Sequence, residues 1–142
     1  MRTRFLIYGV LGLILLLGCS KTDQIGGQID QSQDAVIAQA YKNTISGITV
    51  EARGVVDEIL DDDLSGNRHQ KFIVRLANGQ TLLISYNIDI APRLEGLRVG
   101  DQVSFHGEYE WNDQGGIIHW THHDPLGRHP GGWIKYKNKV YR

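Results

Sequence analysis

The chain reads as a mainly β protein, a small barrel of five strands behind one short helix, and three observations carry that reading. Apolar and polar residues alternate in five stretches between Ile48 and His123, the period at which successive strand side chains switch faces. Turn signals separate the stretches, among them Asn78-Gly79, Gly100-Asp101 and the run at 112–116, where Asn, Asp and Gly tolerate the backbone of a tight reversal. Only one segment ahead of them, 34–46, has apolar residues at helical spacing.

The first 18 residues stand apart from the fold. Arg2 and Arg4 form a positive head, and 5–17 is an apolar run too short for an ordinary spanning helix. The run closes on Leu16-Leu17-Gly18-Cys19, which resembles the lipobox of bacterial lipoproteins. That resemblance implies cleavage before Cys19, diacylation of this cysteine and a membrane anchor. Ser20 rather than aspartate after it implies the outer membrane, facing the periplasm. Two acyl chains suffice for stable anchoring where one is marginal. Cys19 is the chain's only cysteine, so no intramolecular disulfide is available. The expected organisation is a lipoprotein signal peptide at 1–18, a flexible tether at 19–33 and a single domain at 34–142. The length left after the signal is enough for one hydrophobic core and not two.

Within the domain, Val36, Ile37, Ala40, Tyr41 and Ile45 place an amphipathic helix over 34–46, with Asp34 as its N-cap and Gly47 as its stop. The first strand covers 48–60, and Gly54 inside it marks a bulge or strong coiling. Phe72, Val74 and Leu76 share one face of the second strand, 71–77, and Asn78-Gly79 reverses the chain into the third, 80–86. Residues 87–98 hold Pro92 and glycine-bounded turns, a loop or a short helix. The fourth strand, 102–111, sets Val103, Phe105, Tyr109 and Trp111 on one face and Ser104, His106, Glu108 and Glu110 on the other. The fifth, 117–123, sets Ile118 and Trp120 against His119, Thr121 and His123, until Asp124-Pro125 ends it. In the tail, 132–136 and 139–141 flank Lys137-Asn138 as a hairpin, with Trp133, Ile134, Tyr136 and Tyr141 closing one end of the barrel.

Five strands with a longer connection between the third and fourth match the order of the OB-fold, a small Greek-key barrel. The phrase Leu97-Arg98-Val99-Gly100-Asp101-Gln102-Val103-Ser104-Phe105-His106-Gly107 is similar to the lead into strand four of many OB domains. Three blocks point further: Arg68-His69-Gln70-Lys71-Phe72, Asn87-Ile88-Asp89-Ile90-Ala91-Pro92-Arg93, and Gly115-Gly116-Ile117-Ile118-His119-Trp120-Thr121-His122-His123-Asp124-Pro125 followed by Gly131-Gly132-Trp133-Ile134. With these, residues 48–142 resemble an uncharacterised bacterial family of small exported proteins and lipoproteins, a domain of unknown function. The resemblance implies the fold and an envelope location, and no particular activity.

Chemistry concentrates at 117–125, where three of the six histidines and a carboxylate lie together. Strand parity puts His106, Glu108 and Glu110 on the same face as His119 and His123. A two-residue turn at Gln114-Gly115 would set His106 beside His123 and Glu110 beside His119; a four-residue turn would set Glu108 beside His119. Either register assembles imidazoles and carboxylates that suit zinc or another divalent transition metal; the alternative is a polar face satisfied by its own hydrogen bonds. His69, His122, Asp124 and His129 form a secondary set in the flanking loops. The spacing H-x-x-H-H-D lacks the helix and the glutamate of the H-E-x-x-H zinc motif.

Asp61-Asp62-Asp63-Leu64-Ser65-Gly66 begins like a calcium loop, but Phe72 falls where the bidentate glutamate is needed. A solvated acidic loop is the better reading, with Arg68 and Arg93 either neutralising it or binding an anion. A net charge of −1 and a pI of about 6.6 argue against nucleic acid as the partner. No nucleophile elbow or triad spacing is present. The sequence therefore reads as a cell-envelope lipoprotein whose barrel binds a ligand or protein partner without catalysis. The alternative is a metal-dependent hydrolase, a nuclease included, using the His/carboxylate face. Replacing the anchor residue, Cys19→Ser, should leave an unprocessed precursor on gels of envelope fractions; a variant still cleaved and recovered at the same membrane position would rule the anchor out.

Overall fold

The structure, a computed structural model, describes residues 24–142; the apolar leader, Cys19 and the first part of the expected tether lie outside the described residues. In chain order its elements are α1 (Gln24–Lys42), β1 (Ile48–Ile59), β2 (His69–Leu76), β3 (Thr81–Asn87), β4 (Gln102–Glu110), β5 (Ile117–His119), β6 (Trp133–Tyr136) and β7 (Lys139–Tyr141). Strand β1 needs its 12 residues because it has two partners. Its first part, Ile48 to Val55, pairs with β4, and its second part, from Gly54 to Ile59, pairs with β2. Both ladders meet at Gly54, opposite Leu76 on one side and Val103 on the other. A Cβ there would press into Val74 and the backbone of Arg75, so only glycine lets the strand coil this tightly. The register slip itself falls between Val56 and Glu58.

The remaining pairings close the sheet. β2 and β3 form the expected hairpin across Asn78-Gly79, β3 runs parallel to β5, β5 runs antiparallel to β4, and β4 returns to β1. The result is a mainly β, closed five-stranded OB-like barrel preceded by one helix. Alternate positions fill it: Val50, Ala52, Phe72, Val74, Leu82, Ile84, Phe105, Tyr109 and Ile118 are all buried. Burying each of the larger apolar side chains contributes about 1.5–3 kcal/mol. Residues 88–101 form a loop of turns, held to β2 by Gln70, which donates to the Leu94 carbonyl at 3.2 Å and accepts the Leu94 N–H at 3.0 Å.

The fifth strand departs from expectation. It ends at His119, because Trp120 takes a left-handed φ of 53° and turns the chain out of the sheet. The chain returns at Gly132 and continues along the same edge of β4 as β6, so β5 pairs with Glu108 to Glu110 and β6 with Val103 to His106. Gly107 lies between the two segments, and a Cβ on it would press into the His119 carbonyl, Ile118 and Thr121. One on Gly132 would press into the carbonyls of Trp120 and His106. Trp120, expected beside Ile118 on the apolar face, is 42% exposed. Beyond it the tail forms the expected hairpin, with Lys137 and Asn138 at φ of 46° and 62°, the signs a type I′ turn requires.

Helix α1 starts ten residues before the expected 34 and stops at Lys42, so residues 24–33, expected in the flexible tether, are helical. The run is rich in glutamine, a good helix former, and free of proline; its Gly26-Gly27 pair costs about 1 kcal/mol per glycine without breaking it. Asp34 is consequently mid-helix and buried rather than an N-cap. Its Oδ2 accepts the Ala77 N–H at 3.1 Å and its carbonyl accepts the Asn78 amide at 3.2 Å, docking the helix on the β2–β3 turn. The helix stops in a Schellman arrangement: Ile45 N–H reaches the Ala40 carbonyl, Thr44 N–H reaches that of Tyr41, and Thr44 has a φ of 53°. Trp111 lies just past β4, where it donates from Nε1 to the Tyr41 carbonyl and stacks on the Tyr41 ring. It therefore packs on the helix instead of the barrel interior. Among the described residues no helix is long and apolar enough to cross a membrane.

Because backbone lies against the missing Cβ, Gly107→Ala should destabilise the barrel by about 1–3 kcal/mol, the usual cost of overpacking. Gly131→Ala meets only an ordinary contact with His123 and should stay within about 0.5 kcal/mol of the parent. Urea denaturation of the two variants measures the difference.

Candidate functional site

The excursion at 120–132 folds around its own carboxylate. Asp124 is buried, and its oxygens accept the backbone N–H groups of Leu126 at 2.9 Å, of Arg128, and of His129 at 3.0 Å. Burial by itself would raise its pKa; the three N–H donors and the neighbouring His129 outweigh it, and the carboxyl is held below its ordinary range. Pro125 follows with the φ that opens a turn, and the Gly127 N–H closes it on the Asp124 carbonyl. At the far end Gly132 N–H bonds to the His122 carbonyl at 2.9 Å. The loop is thus tied at both ends and braced in the middle.

Two imidazoles sit on this frame. His122 Nδ1 is 2.8 Å from the His123 carbonyl, and His129 Nδ1 is 2.8 Å from the Pro130 carbonyl. A carbonyl only accepts, so in each ring Nδ1 carries the proton and Nε2 is the position left to act. The rings meet edge to face with centroids 5.3 Å apart, and Trp120 lies nearly parallel over His129 at 4.1 Å. His129 Nε2 is buried, 3.8 Å from Asp124 Oδ2, and has no hydrogen-bond partner among the described residues. Desolvation is the largest influence on His122; with repulsion from His129 and His69 it lowers the pKa, outweighing the His123 carbonyl and Asp124. A cleft of about 410 Å³ opens beside these groups, lined by Asn67, Asn87, Glu108, Trp120, His122 and His129.

The structure divides the residues singled out from the sequence. Glu108 pairs directly with His119, the register of the four-residue turn, while Glu110 Oε2 reaches His119 Nε2 diagonally at 3.1 Å. His106 pairs with Trp133 and stacks on its ring at 6.1 Å. His123 is exposed in the loop. The expectation that His119 and His123 share a face of one strand fails because the strand breaks between them at Trp120. The structure brings His122, Asp124 and His129 together instead. His69 opens β2 with Nδ1 2.7 Å from the Asn67 carbonyl. Arg68 is paired with Asp89 at 2.7 Å, and Arg93 with Asp62, so Arg93 neutralises the acidic run.

Among the described residues no three His, Cys, Asp or Glu side chains are grouped so as to hold a metal ion. Trp120, Asn67, Asn87 and Arg128, which also lines the cleft, were not legible as site residues. Strict alternation assigned Trp120 to the core, and the two asparagines look like ordinary turn residues. A family model described as "Protein of unknown function (DUF3465)" matches residues 22–142. No curated protein matches the chain.

Protonation should be visible in stability. A folded pKa below the unfolded one means stability is full above the unfolded value and is lost as pH falls through the folded value. His122 loses its contribution from about pH 6.5 downward, and Asp124 adds a second loss below the ordinary carboxylate range. Denaturation midpoints measured from pH 8 to pH 3 should decline in these two stages, and His122→Gln should flatten the upper one while leaving the lower in place.

Proposed function

We propose, for a chain that belongs to the DUF3465 family, the role of a non-catalytic binding module of the cell envelope, anchored through Cys19 and holding its ligand in the cleft beside Trp120, His122 and His129. The observation that carries this reading is the buried Nε2 of His129, without a hydrogen-bond partner among the described residues, beneath a 42% exposed indole. Leaving a polar atom buried without a partner costs about 1–3 kcal/mol, a cost that a bound ligand removes by supplying the partner. The Trp120 ring offers an apolar platform, and Asn67, Asn87 and Glu108 around it supply donors and acceptors, the mixture found in small-molecule sites. A membrane tether fits a protein that retains or presents a ligand, and the leader from Arg2 to Cys19 supports that tether.

Catalysis has less support in the geometry. Asp124 has its oxygens filled by backbone N–H groups and its pKa lowered, which makes it a poor proton acceptor near neutral pH. The hydrolase reading needs the histidines and glutamates of β4 and β5 together, and they are divided among His119 with its glutamates, His106 with Trp133, and the exposed His123. Native mass spectrometry of the lipoprotein extracted from envelopes in mild detergent should show a co-purifying small molecule. Trp120→Ala should shed it with the melting temperature of the ligand-free protein unchanged. Stoichiometric metal in elemental analysis with a chelator-sensitive hydrolysis, and no such molecule, would move the protein to the metal-dependent class.

A further inference from the structure

The start of β4, away from the histidine loop, carries a second cleft of different chemistry. Register puts Arg53 of β1, Ser104 of β4 and Lys135 of β6 in one cross-strand row, and directly opposed residues share a face with Cβ atoms about 5 Å apart. The β6–β7 turn places Lys137 and Asn138 beside this row, and with Gln102 they enclose about 420 Å³. Four of the chain's 15 Lys and Arg residues fall at 135–142, a segment without Asp or Glu. Three arginines elsewhere are neutralised, Arg68 by Asp89, Arg75 by Asp57 and Arg93 by Asp62. Among the described residues Lys135 and Lys137 have no carboxylate at ion-pair distance. Asp101, the carboxylate of this cleft, is already engaged: its Oδ2 accepts the Tyr136 hydroxyl at 2.6 Å and the Arg98 N–H at 2.9 Å. Lys137 Nζ rests 4.8 Å from the Tyr136 ring centroid, which favours a fixed position for the ammonium.

The lining is therefore rich in donors and poor in free acceptors. It offers two ammonium groups, the Ser104 hydroxyl and the amides of Gln102 and Asn138, with Arg53, itself engaged, adding charge at the rim. Donors spread over three strands and a turn surround a volume rather than a plane, which suits a tetrahedral oxyanion with several oxygens better than a planar carboxylate. We propose that the cleft between β1, β4 and the C-terminal hairpin binds a phosphate group. The site is separate from the Trp120 cleft and stands whatever occupies that one. A phosphate here has two sources, free phosphate or the headgroup of a phospholipid, and both offer the same oxygens to the same donors.

The test is a titration of the full chain, in non-ionic detergent, with sodium phosphate, followed through backbone amide shifts. Saturable shifts should be confined to the amides around Ser104 and the turn at Lys137. Lys135→Glu combined with Lys137→Glu should weaken binding at least about tenfold, the equivalent of 1.4 kcal/mol, with an unchanged melting temperature, while Lys71→Glu on β2 should bind as the parent does. Shifts reproduced by sodium chloride at the same ionic strength, shifts centred on other residues, or equal binding by the double variant would overturn the proposal. Glycerol 3-phosphate in place of phosphate separates the sources: tighter binding assigns a lipid headgroup, and equal or weaker saturable binding assigns free phosphate.

Discussion

The absence of a side chain at Gly107 is the constraint on which the rest of the barrel depends. Because nothing projects from that position, the chain can leave the edge of β4 after His119 and rejoin it at Trp133, with Gly132 crossing against the carbonyls of Trp120 and His106. One strand's worth of ladder is thereby split into β5 and β6, and the barrel still closes through the short parallel pairing of Leu83 and Ile84 with Ile117 and Ile118. The residues between the two segments are freed from the alternation of a strand. They carry the chemistry that a continuous strand would have spread over two faces.

What the freed loop does with that chemistry follows from where its hydrogen bonds go. Asp124 spends its oxygens on backbone N–H groups, so it acts as the brace of the loop. His122 and His129 each bind a neighbouring carbonyl through Nδ1, which orients the rings and leaves the Nε2 atoms as the groups with chemistry to offer. A buried polar atom without a partner is uncommon in folded proteins, and the one on His129 coincides with an exposed indole and a cleft. That coincidence is what supports the proposed binding role for this end of the barrel.

Charge is organised at the scale of the whole molecule as well. A net charge of −1 conceals a barrel whose arginines are mostly paired and a terminal hairpin whose lysines, among the described residues, have no carboxylate at ion-pair distance. The pairing of Arg93 with Asp62 and Arg68 with Asp89 staples two long loops to each other, although exposed pairs of this kind add little to stability singly. The positive field of the hairpin is set by register, which lines up Lys135 with Ser104 and Arg53.

The sequence by itself determined where the barrel strands lie, apart from the end of the fifth, the Asn78-Gly79 and Lys137-Asn138 reversals and the parity that puts Phe105 and Tyr109 inside, because alternation and turn preference are local properties. It narrowed the β4–β5 register to two choices, one of which pairs Glu108 with His119. Only the tertiary structure decided that the fifth strand stops at Trp120, since the stop depends on Gly107 and Gly132, which are distant in sequence from each other and both lie against the backbone at 119–120. The same holds for Asp34: an acidic residue before an apolar run looks like a cap, and it becomes a buried dock only because Ala77 and Asn78 arrive from a hairpin some forty residues away. His122, Asp124 and His129 were visible as a cluster of residue types, but their grouping required a loop closed by backbone hydrogen bonds. No spacing rule along the chain encodes such a closure, because it is made by groups every residue shares.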